Sequence, residues 1–475
     1  MGAGTALRPR RPQLRLSERK LLLAFGDLIA VSVAILLSLY IWSVVAVEPY
    51  TTQFVASQAV WFIVLPLIWF PLASAADFFD LRVAASRSRT LGRLLAIEVQ
   101  LVVIYLLVFF LSPRDALPRL FIFYYAVSSF LFIALWRFAG FAVLGWASAP
   151  RRLLVVGAGW SAEALISAIS SLAAHEYEVR GVIGTADDMG RRVSGVPVVS
   201  AGEDLMRVVE REEITEVVTT ATTGVDGATF QGLMDVYEHG VRVVPMAILY
   251  EQITGRVPVE HVNNDWAVVF LPVSRNEGVL NVYLPIKRLL DIVLSLAGLA
   301  IFALLFPALA LAIKLNSPGG IFYRQERLGK SGQPFFILKL RTMVDNAEQQ
   351  TGAVFAQKDD PRVTRTGRFL RKTRLDELPQ LVNVLRGDMS LVGPRPERPE
   401  HVARLQQKIP FYRTRLAVRP GLTGWAQVRY SYGSDDNDAL VKLQYDLYYI
   451  RHSSLLLDLN ILLRTVGKVL SLSGV

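Results

Sequence analysis

The stretch LLDIVLSLAGLAIFALLFPALALAI, Leu289 to Ile313, decides how the chain is laid out. It is long and apolar enough to cross a bilayer. Lys287 and Arg288 stand at one end and Lys314 at the other. Positive flanks stay on the cytoplasmic side, so both ends are drawn to one face. Pro307 lies inside the run, where proline removes a backbone donor and crowds the preceding turn. A re-entrant helix over 289–313, entering and leaving by the same face, meets both facts. A plain span would carry the basic segment that follows to the outside. Asp291 comes one turn after Lys287 and Arg288, spaced to pair with them at the headgroup level.

The rest of the chain supports a membrane setting. Of 475 residues, 52% are hydrophobic, and the mean hydropathy is +0.37. Two to four domains are expected at this length, and the apolar fraction points to a bilayer. The net charge of +10 suits anionic headgroups or phosphate-bearing substrates, and the long apolar runs argue against nucleic acid as the partner. With no cysteine, disulfides and thiolate metal sites are excluded. The five histidines make no zinc spacing.

Residues 1–20 form a basic cytoplasmic tail whose charges resemble a signal-peptide n-region, but the next apolar run is too long and more follow it. Spans are expected near Leu21–Val45, Phe54–Ala75, Leu94–Leu111 and Leu120–Leu144, a four-helix transmembrane bundle within 21–146. Trp42, Trp61, Trp136 and Trp146 are candidate interfacial anchors. Arg82, Arg87, Arg89 and Arg93 fill the Asp77–Arg93 loop, whereas Ala46–Gln53 has no basic residue and Ser112–Pro118 has only Arg114. The amino terminus and everything after residue 150 are therefore expected on the cytoplasmic side of the membrane. Asp27 and Glu98, the intramembrane acids, lie near cytoplasmic ends where they can reach water.

From 151 to 249 short β-branched runs alternate with helical stretches, which predicts a Rossmann-like parallel sheet. Strands are expected at Arg152–Val156, Val179–Ile183, Ile214–Thr220 and Val241–Pro245, with a helix at Ser161–Leu172. Gly157-Ala-Gly159-Trp-Ser-Ala162 has the form of a dinucleotide turn. The acid expected after the second strand is missing: the chain reads Ile183-Gly184-Thr185, and Asp187-Asp188 come late. A structural domain, or one binding another nucleotide or regulator, is the better reading. A linker over 250–286 leads to an α-rich catalytic domain over 287–475.

That last part holds a basic field, Arg362, Arg365, Arg368, Arg371, Lys372 and Arg374, ending on Asp376-Glu377. Guanidinium and ammonium groups gather where phosphate is held. A carboxylate at the edge of such a field can ligate magnesium or attack phosphorus. Taken alone, the run also reads as a solvated basic helix. Its company decides: Ser317-Pro-Gly-Gly-Ile-Phe-Tyr-Arg-Gln-Glu-Arg-Leu-Gly329, Lys339-Leu-Arg-Thr-Met343, Arg371-Lys-Thr-Arg-Leu-Asp-Glu-Leu-Pro-Gln380, Arg386-Gly-Asp-Met-Ser-Leu-Val-Gly-Pro-Arg-Pro-Glu397 and Arg419-Pro-Gly-Leu-Thr-Gly-Trp425.

In this order the motifs resemble the bacterial sugar transferases, the monotopic polyprenyl-phosphate glycosyl-1-phosphate transferases. The upstream spans and Rossmann-like domain are similar to the long form, typified by undecaprenyl-phosphate galactose phosphotransferases. The resemblance implies transfer of hexose-1-phosphate from a UDP-sugar, galactose or glucose, to undecaprenyl phosphate with release of UMP. It implies Asp376 as nucleophile, forming an aspartyl-phosphosugar, and Glu377 as a helper for proton handling or Mg²⁺, with both carboxylates as metal ligands. Arg371 and Arg395 match phosphate-holding arginines; Arg341, Lys287 and Arg288 complete the candidate substrate-phosphate set, although Arg341 fits a salt bridge equally well. Gly393-Pro-Arg-Pro396 and Arg419-Pro-Gly421 have turn composition, and as loops they could close over a nucleotide. Asp388 suits capping of the next turn better than metal binding. Leu455–Leu470 reads as an amphipathic helix on the membrane surface or as core. Pro307 sits later in its run than the family's kink, and Leu340 replaces a family phenylalanine. A homodimer is expected, since the bundle and the Rossmann-like domain both offer surfaces. The competing readings are a membrane transporter or sensor with a nucleotide-binding regulatory domain, and a nucleotide-sugar oxidoreductase.

Overall fold

The structure, a computed structural model, describes residues 16–84, 86–111, 120–144, 150–220, 225–259, 283–344, 360–430 and 435–470. Most of the basic tail, the Ser112–Pro118 turn, Trp146 and most of the linker lie outside the described residues.

The amino-terminal part is helical: α1 (Leu16–Ala46), α2 (Thr52–Ser57), α3 (Trp61–Ala75), α4 (Leu81–Ala84), α5 (Arg87–Leu111) and α6 (Phe121–Leu144). Leucine, alanine and aromatic residues dominate these helices, and α1, α3, α5 and α6 share a core that includes Ile35, Leu65, Trp69, Ile97, Tyr125 and Ile133. Apolar helices of this length mark a membrane protein. The expected Phe54–Ala75 span is not one helix. The chain turns at Gln58–Val60, where Gln58 accepts a hydrogen bond from Trp61 Nε1 at 3.0 Å. The remaining 15-residue α3 contains Pro66 and Pro71. At a rise of about 1.5 Å per residue it is shorter than a hydrocarbon core of about 30 Å.

Asp27 and Glu98 do not reach water. Asp27 is fully buried and ion-paired with Arg137 of α6, which also donates to Phe78 O and lies over the Phe78 ring at 4.1 Å. Glu98 is buried against Trp69, which donates to it at 3.2 Å. A buried carboxylate needs a partner, and tertiary packing supplies one that loop position could not reveal.

The α/β region follows, with β1 (Arg151–Val156), α7 (Trp160–Ala168), β2 (Tyr177–Gly184), β3 (Arg192–Val193), β4 (Val196–Ala201), α8 (Leu205–Arg211), β5 (Glu216–Thr219), α9 (Gly227–Glu238), β6 (Arg242–Pro245) and α10 (Met246–Thr254). The sheet order is β3-β4-β2-β1-β5-β6; every pairing is parallel except that of the short β3. Helices cover both faces, α7 and α10 on one and α8 and α9 on the other. Gly157 adopts φ +109° directly under Thr220 Oγ1, where a Cβ would come within 2.1 Å, so only glycine fits this turn. Asp188 closes its own turn, accepting from Thr185 N at 3.0 Å and Thr185 Oγ1 at 2.7 Å.

The last region opens with α11 (Tyr283–Asn316) and the antiparallel hairpin β7 (Phe322–Leu328) and β8 (Pro334–Leu340). Next come α12 (Arg365–Thr373), α13 (Leu381–Arg386), β9 (Ser390–Val392), α14 (Pro399–Leu405), β10 (Gly421–Thr423), α15 (Trp425–Arg429), α16 (Asp436–His452) and α17 (Leu455–Leu470).

α11 continues through Pro307 as one helix, without the break expected there. A stripe at helical spacing lies along the folded region: Asp291 and Ser295 are buried, Gly298 touches Leu381, Phe302 and Ile313 are buried, and Phe306 stacks on Phe322 at 5.4 Å. Both ends are tied to this region. Asp291 Oδ1 accepts from Leu391 N at 3.0 Å and Asn316 Oδ1 from Thr366 N at 2.9 Å. The opposite face is exposed and apolar, with Leu304 86% exposed and Ile301, Leu311 and Leu315 also in the open. Asp291 does not pair with Lys287 or Arg288, because the Ser390–Leu391 backbone and hydroxyl occupy it.

α17 has the amphipathic character expected of it and is partly core: Asp458 and Ile461 are buried, and Arg464 pairs with Asp77 in the loop after α3. Asn460 donates to Ser74 Oγ at 2.8 Å, so this helix docks on the membrane bundle.

Candidate active site

The site is built on β8, on the turn after α12, and on the segment after β9. Thr364 caps α12 by accepting from Gly367 N at 3.0 Å. A Cβ on Gly367 would meet Thr342 O at 1.9 Å, so this glycine brings α12 against the end of β8. The helix stops at Arg374, a non-glycine residue with φ +56°, and a 3₁₀ turn over Leu375–Gln380 follows. That left-handed residue redirects the chain and turns Asp376 and Glu377 inward, where both side chains are buried.

Glu377 sits among cations from three elements. Lys339 Nζ of β8 and Arg395 Nη2 each donate to Oε1 at 2.9 Å, and Arg374 lies 3.6 Å from Oε2. Burial opposes its ionisation, but Arg395, Lys339 and Arg374 outweigh it and hold the carboxyl well below the usual carboxylate range. Asp376 has the opposite bias. Burial and the neighbouring Glu377 charge push it up to about 6, against the pull of Lys339, Arg371 and Arg395. No hydrogen bond to the Asp376 carboxyl occurs among the described residues. Adjacent carboxylates therefore differ sharply: Glu377 is a saturated anion, and Asp376 is an open one.

The remaining candidates divide in two. Arg371 faces the site, its Nε donating to Thr342 Oγ1 at 2.9 Å. Arg395 is fixed from below, since buried Arg415 donates to its carbonyl at 3.1 Å while pairing with Asp446 at 2.8 Å. Arg341, Lys287 and Arg288 are spent on the protein itself. Arg341 donates to Ser317 O at 2.8 Å. Lys287 Nζ reaches Asp458 at 2.8 Å and Val392 O at 3.0 Å. Arg288 bonds the carbonyls of Val384 and Leu385, each at 2.7 Å. These two carbonyls lie at the end of α13, where a cation complements the helix dipole.

Lys339 lies outside the basic field read from the sequence, which did include Arg374. Lys339 was visible in the Lys339–Met343 motif, but only the folded hairpin brings it to Glu377. Sequence reasoning missed Asn383, whose buried amide donates to Phe336 O at 2.8 Å and accepts from Leu338 N at 3.1 Å, clamping β8 to α13. Asp388 accepts from the same amide at 3.3 Å. The glycine-proline segments are more than turns. Gly393, just after β9, lies backbone to backbone with Gly421 of β10, where a Cβ on Gly421 would come within 2.1 Å of Gly393 N.

No group of three acidic or histidine side chains able to enclose a metal occurs among the described residues. Glu377, engaged by three cations, is a poor metal ligand; Asp376 offers one open carboxylate. Magnesium is commonly held by one or two carboxylates together with substrate phosphates, and a single-carboxylate site of that kind fits here.

A cation-lined carboxylate pair thus stands on a hairpin-and-helix scaffold, beside a long apolar helix, in a membrane protein. Residues 282–472 match the family model described as bacterial sugar transferase, and residues 74–221 match one described as CoA-binding domain. The chain is 50% identical over 187 residues to the UDP-glucose:undecaprenyl-phosphate glucose-1-phosphate transferase of Caulobacter vibrioides, covering 39% of this chain and 70% of that relative. It is 44% identical over 221 residues to an Aeromonas hydrophila UDP-N-acetylgalactosamine-undecaprenyl-phosphate N-acetylgalactosaminephosphotransferase, covering 46% of this chain and only 50% of that relative. An exopolysaccharide production protein of Rhizobium leguminosarum is 40% identical over 188 residues, with 38% of this chain and 94% of that protein covered. The chain belongs to the bacterial sugar transferase family.

Proposed function

We propose that this protein transfers a hexose-1-phosphate from a UDP-sugar to undecaprenyl phosphate and releases UMP, an initiating step of exopolysaccharide, capsule or O-antigen synthesis. The observation that carries it is the contrast within the carboxylate pair: an open Asp376 beside a Glu377 whose charge is already balanced. An Asp376 oxygen attacks the sugar-linked phosphorus, the bond from that phosphorus to the bridging oxygen breaks, and UMP leaves with the electron pair. The lipid phosphate oxygen then attacks the aspartyl-phosphosugar phosphorus and frees Asp376. Arg371 and Arg395 hold phosphate oxygens; Lys339 and Arg374 keep Glu377 and the turn in place. Bound Mg²⁺ would neutralise diphosphate charge, with Asp376 the protein oxygen open to it. Galactose and glucose were the expected sugars; relatives are named for glucose and N-acetylgalactosamine, and all three belong in the assay.

In this reading α11 is re-entrant or lies along the membrane face. A perpendicular span would draw Phe322 and the other residues along its stripe into the bilayer. The catalytic region then stands on the cytoplasmic face of the inner membrane, with α1, α3, α5 and α6 as a multi-pass anchor, 151–249 as a separate Rossmann-like domain, and a homodimer as the assembly. The test is UMP release by membranes containing the protein, undecaprenyl phosphate, Mg²⁺ and a panel of UDP-sugars. No UMP from any sugar overturns the activity.

A further inference from the structure

A cleft of about 380 Å³ opens between the α/β region and α16, away from the Asp376 site. Ala164, Ser167 and Ser171 line one side, and Val441 and Gln444 the other, with Tyr250 and Arg256 among the residues between. The α7 wall continues into a π-helical turn, Ile169–Ala173, a rare geometry that recurs at functional sites. The walls are held at a set spacing. Val257 N donates to Gln444 O at 3.1 Å, Trp425 Nε1 to Gly255 O at 3.1 Å, and Arg451 pairs with Glu251 at 2.6 Å.

Arg256 is the unexplained group. Its guanidinium is half-buried, 5.9 Å from the Tyr250 ring and 5.6 Å from the Tyr445 ring. The guanidinium makes no hydrogen bond or salt bridge among the described residues, and its Nε is buried without an acceptor. Aromatic faces favour a cation but supply no acceptor for its N–H groups. Its N–H groups are therefore available to an acceptor that enters the cleft. The two serine hydroxyls add short-range polar contacts, and Ala164, Ala168 and Leu172 give an apolar floor. The volume lies at the lower end of the range for small-molecule sites.

We infer that this cleft binds a phosphate-bearing ligand of mononucleotide size, with Arg256 on the phosphate and the α7 wall against the rest. A ligand there touches both the α/β region and α16. α16 also carries Asp446, whose partner Arg415 supports Arg395. The inference does not depend on the proposed transferase activity.

The test is equilibrium binding to the full-length protein in nanodiscs, with AMP, GMP, CMP, UMP and inorganic phosphate as probes. At least one mononucleotide should bind, and Arg256→Gln should weaken it about tenfold or more. Ser167→Trp, at an exposed lining position, should block it by filling the cleft while the unfolding temperature stays unchanged; it also serves if Arg256→Gln fails to fold. Binding by none of the four nucleotides overturns the inference. So does binding that both variants leave intact, the result expected of the Asp376 site. Inorganic phosphate binding as tightly as the best nucleotide overturns the assigned ligand size.

Discussion

Replacing Asp376 by asparagine should abolish activity and at the same time stabilise the protein. Burial and the Glu377 charge raise this carboxyl from 3.8 to about 6. Its folded pKa lies above its unfolded value, so the ionised group opposes folding at neutral pH. One pKa unit is about 1.4 kcal/mol, so a shift of roughly two units makes the charge worth about 3 kcal/mol against the fold. Asparagine removes that penalty and keeps the shape. The gain should be full above about pH 6, shrink between pH 6 and pH 4 as the wild-type group takes up its proton, and vanish below. Thermal unfolding of both full-length proteins in the same detergent, at pH 8 and pH 4, measures it. A higher unfolding temperature for Asp376→Asn at pH 8 and none at pH 4 is expected, together with loss of any phosphosugar adduct. A variant less stable than wild type at pH 8 would refute the electrostatic account. Retained turnover would remove Asp376 from the nucleophile's role.

Glu377→Gln should shift the acidic limb of adduct formation to lower pH, because Asp376 loses a neighbouring negative charge while Lys339 and Arg395 remain; an unmoved limb would show the two carboxyls are not coupled. Asn383→Leu should cost about 1–3 kcal/mol, since it strips a buried amide from Phe336 O and Leu338 N, and it should lower kcat through a displaced Lys339. Wild-type stability and kcat would refute the clamp. Arg137→Leu should destabilise the membrane bundle by about 3–5 kcal/mol by leaving Asp27 buried and unpaired, and Asp27→Asn should restore part of it. Unfolding temperatures of the single and double variants give the answer. Equal losses for single and double variants would remove the pair from that role.

Much of this molecule was legible along the chain because the signals are local. Apolar runs of bilayer length, β-branched stretches alternating with helical ones, and a basic field ending on Asp376-Glu377 depend only on neighbouring residues. The runs mark α1, α5, α6 and α11, and the alternation marks the parallel sheet. Where local signals failed, packing outweighed them. α2 and α3 split because Gln58 and Trp61 turn the chain, and α11 stayed whole through Pro307 with one face supported along its length.

The charges show the division most clearly. Composition established that cations outnumber acids, and residue order that they gather around residue 371. Which of them meet a carboxylate was decided by contacts far apart in sequence. Lys339 reaches Glu377 across 38 residues, Arg395 reaches it across 18, and Arg137 reaches Asp27 across 110. Arg288 and Lys287, equally basic on paper, were drawn to backbone carbonyls and Asp458 instead. A residue's type sets what it can do at a phosphate. Only the fold sets whether its hydrogen bonds are already taken, because the partners a buried charge meets come from distant parts of the chain.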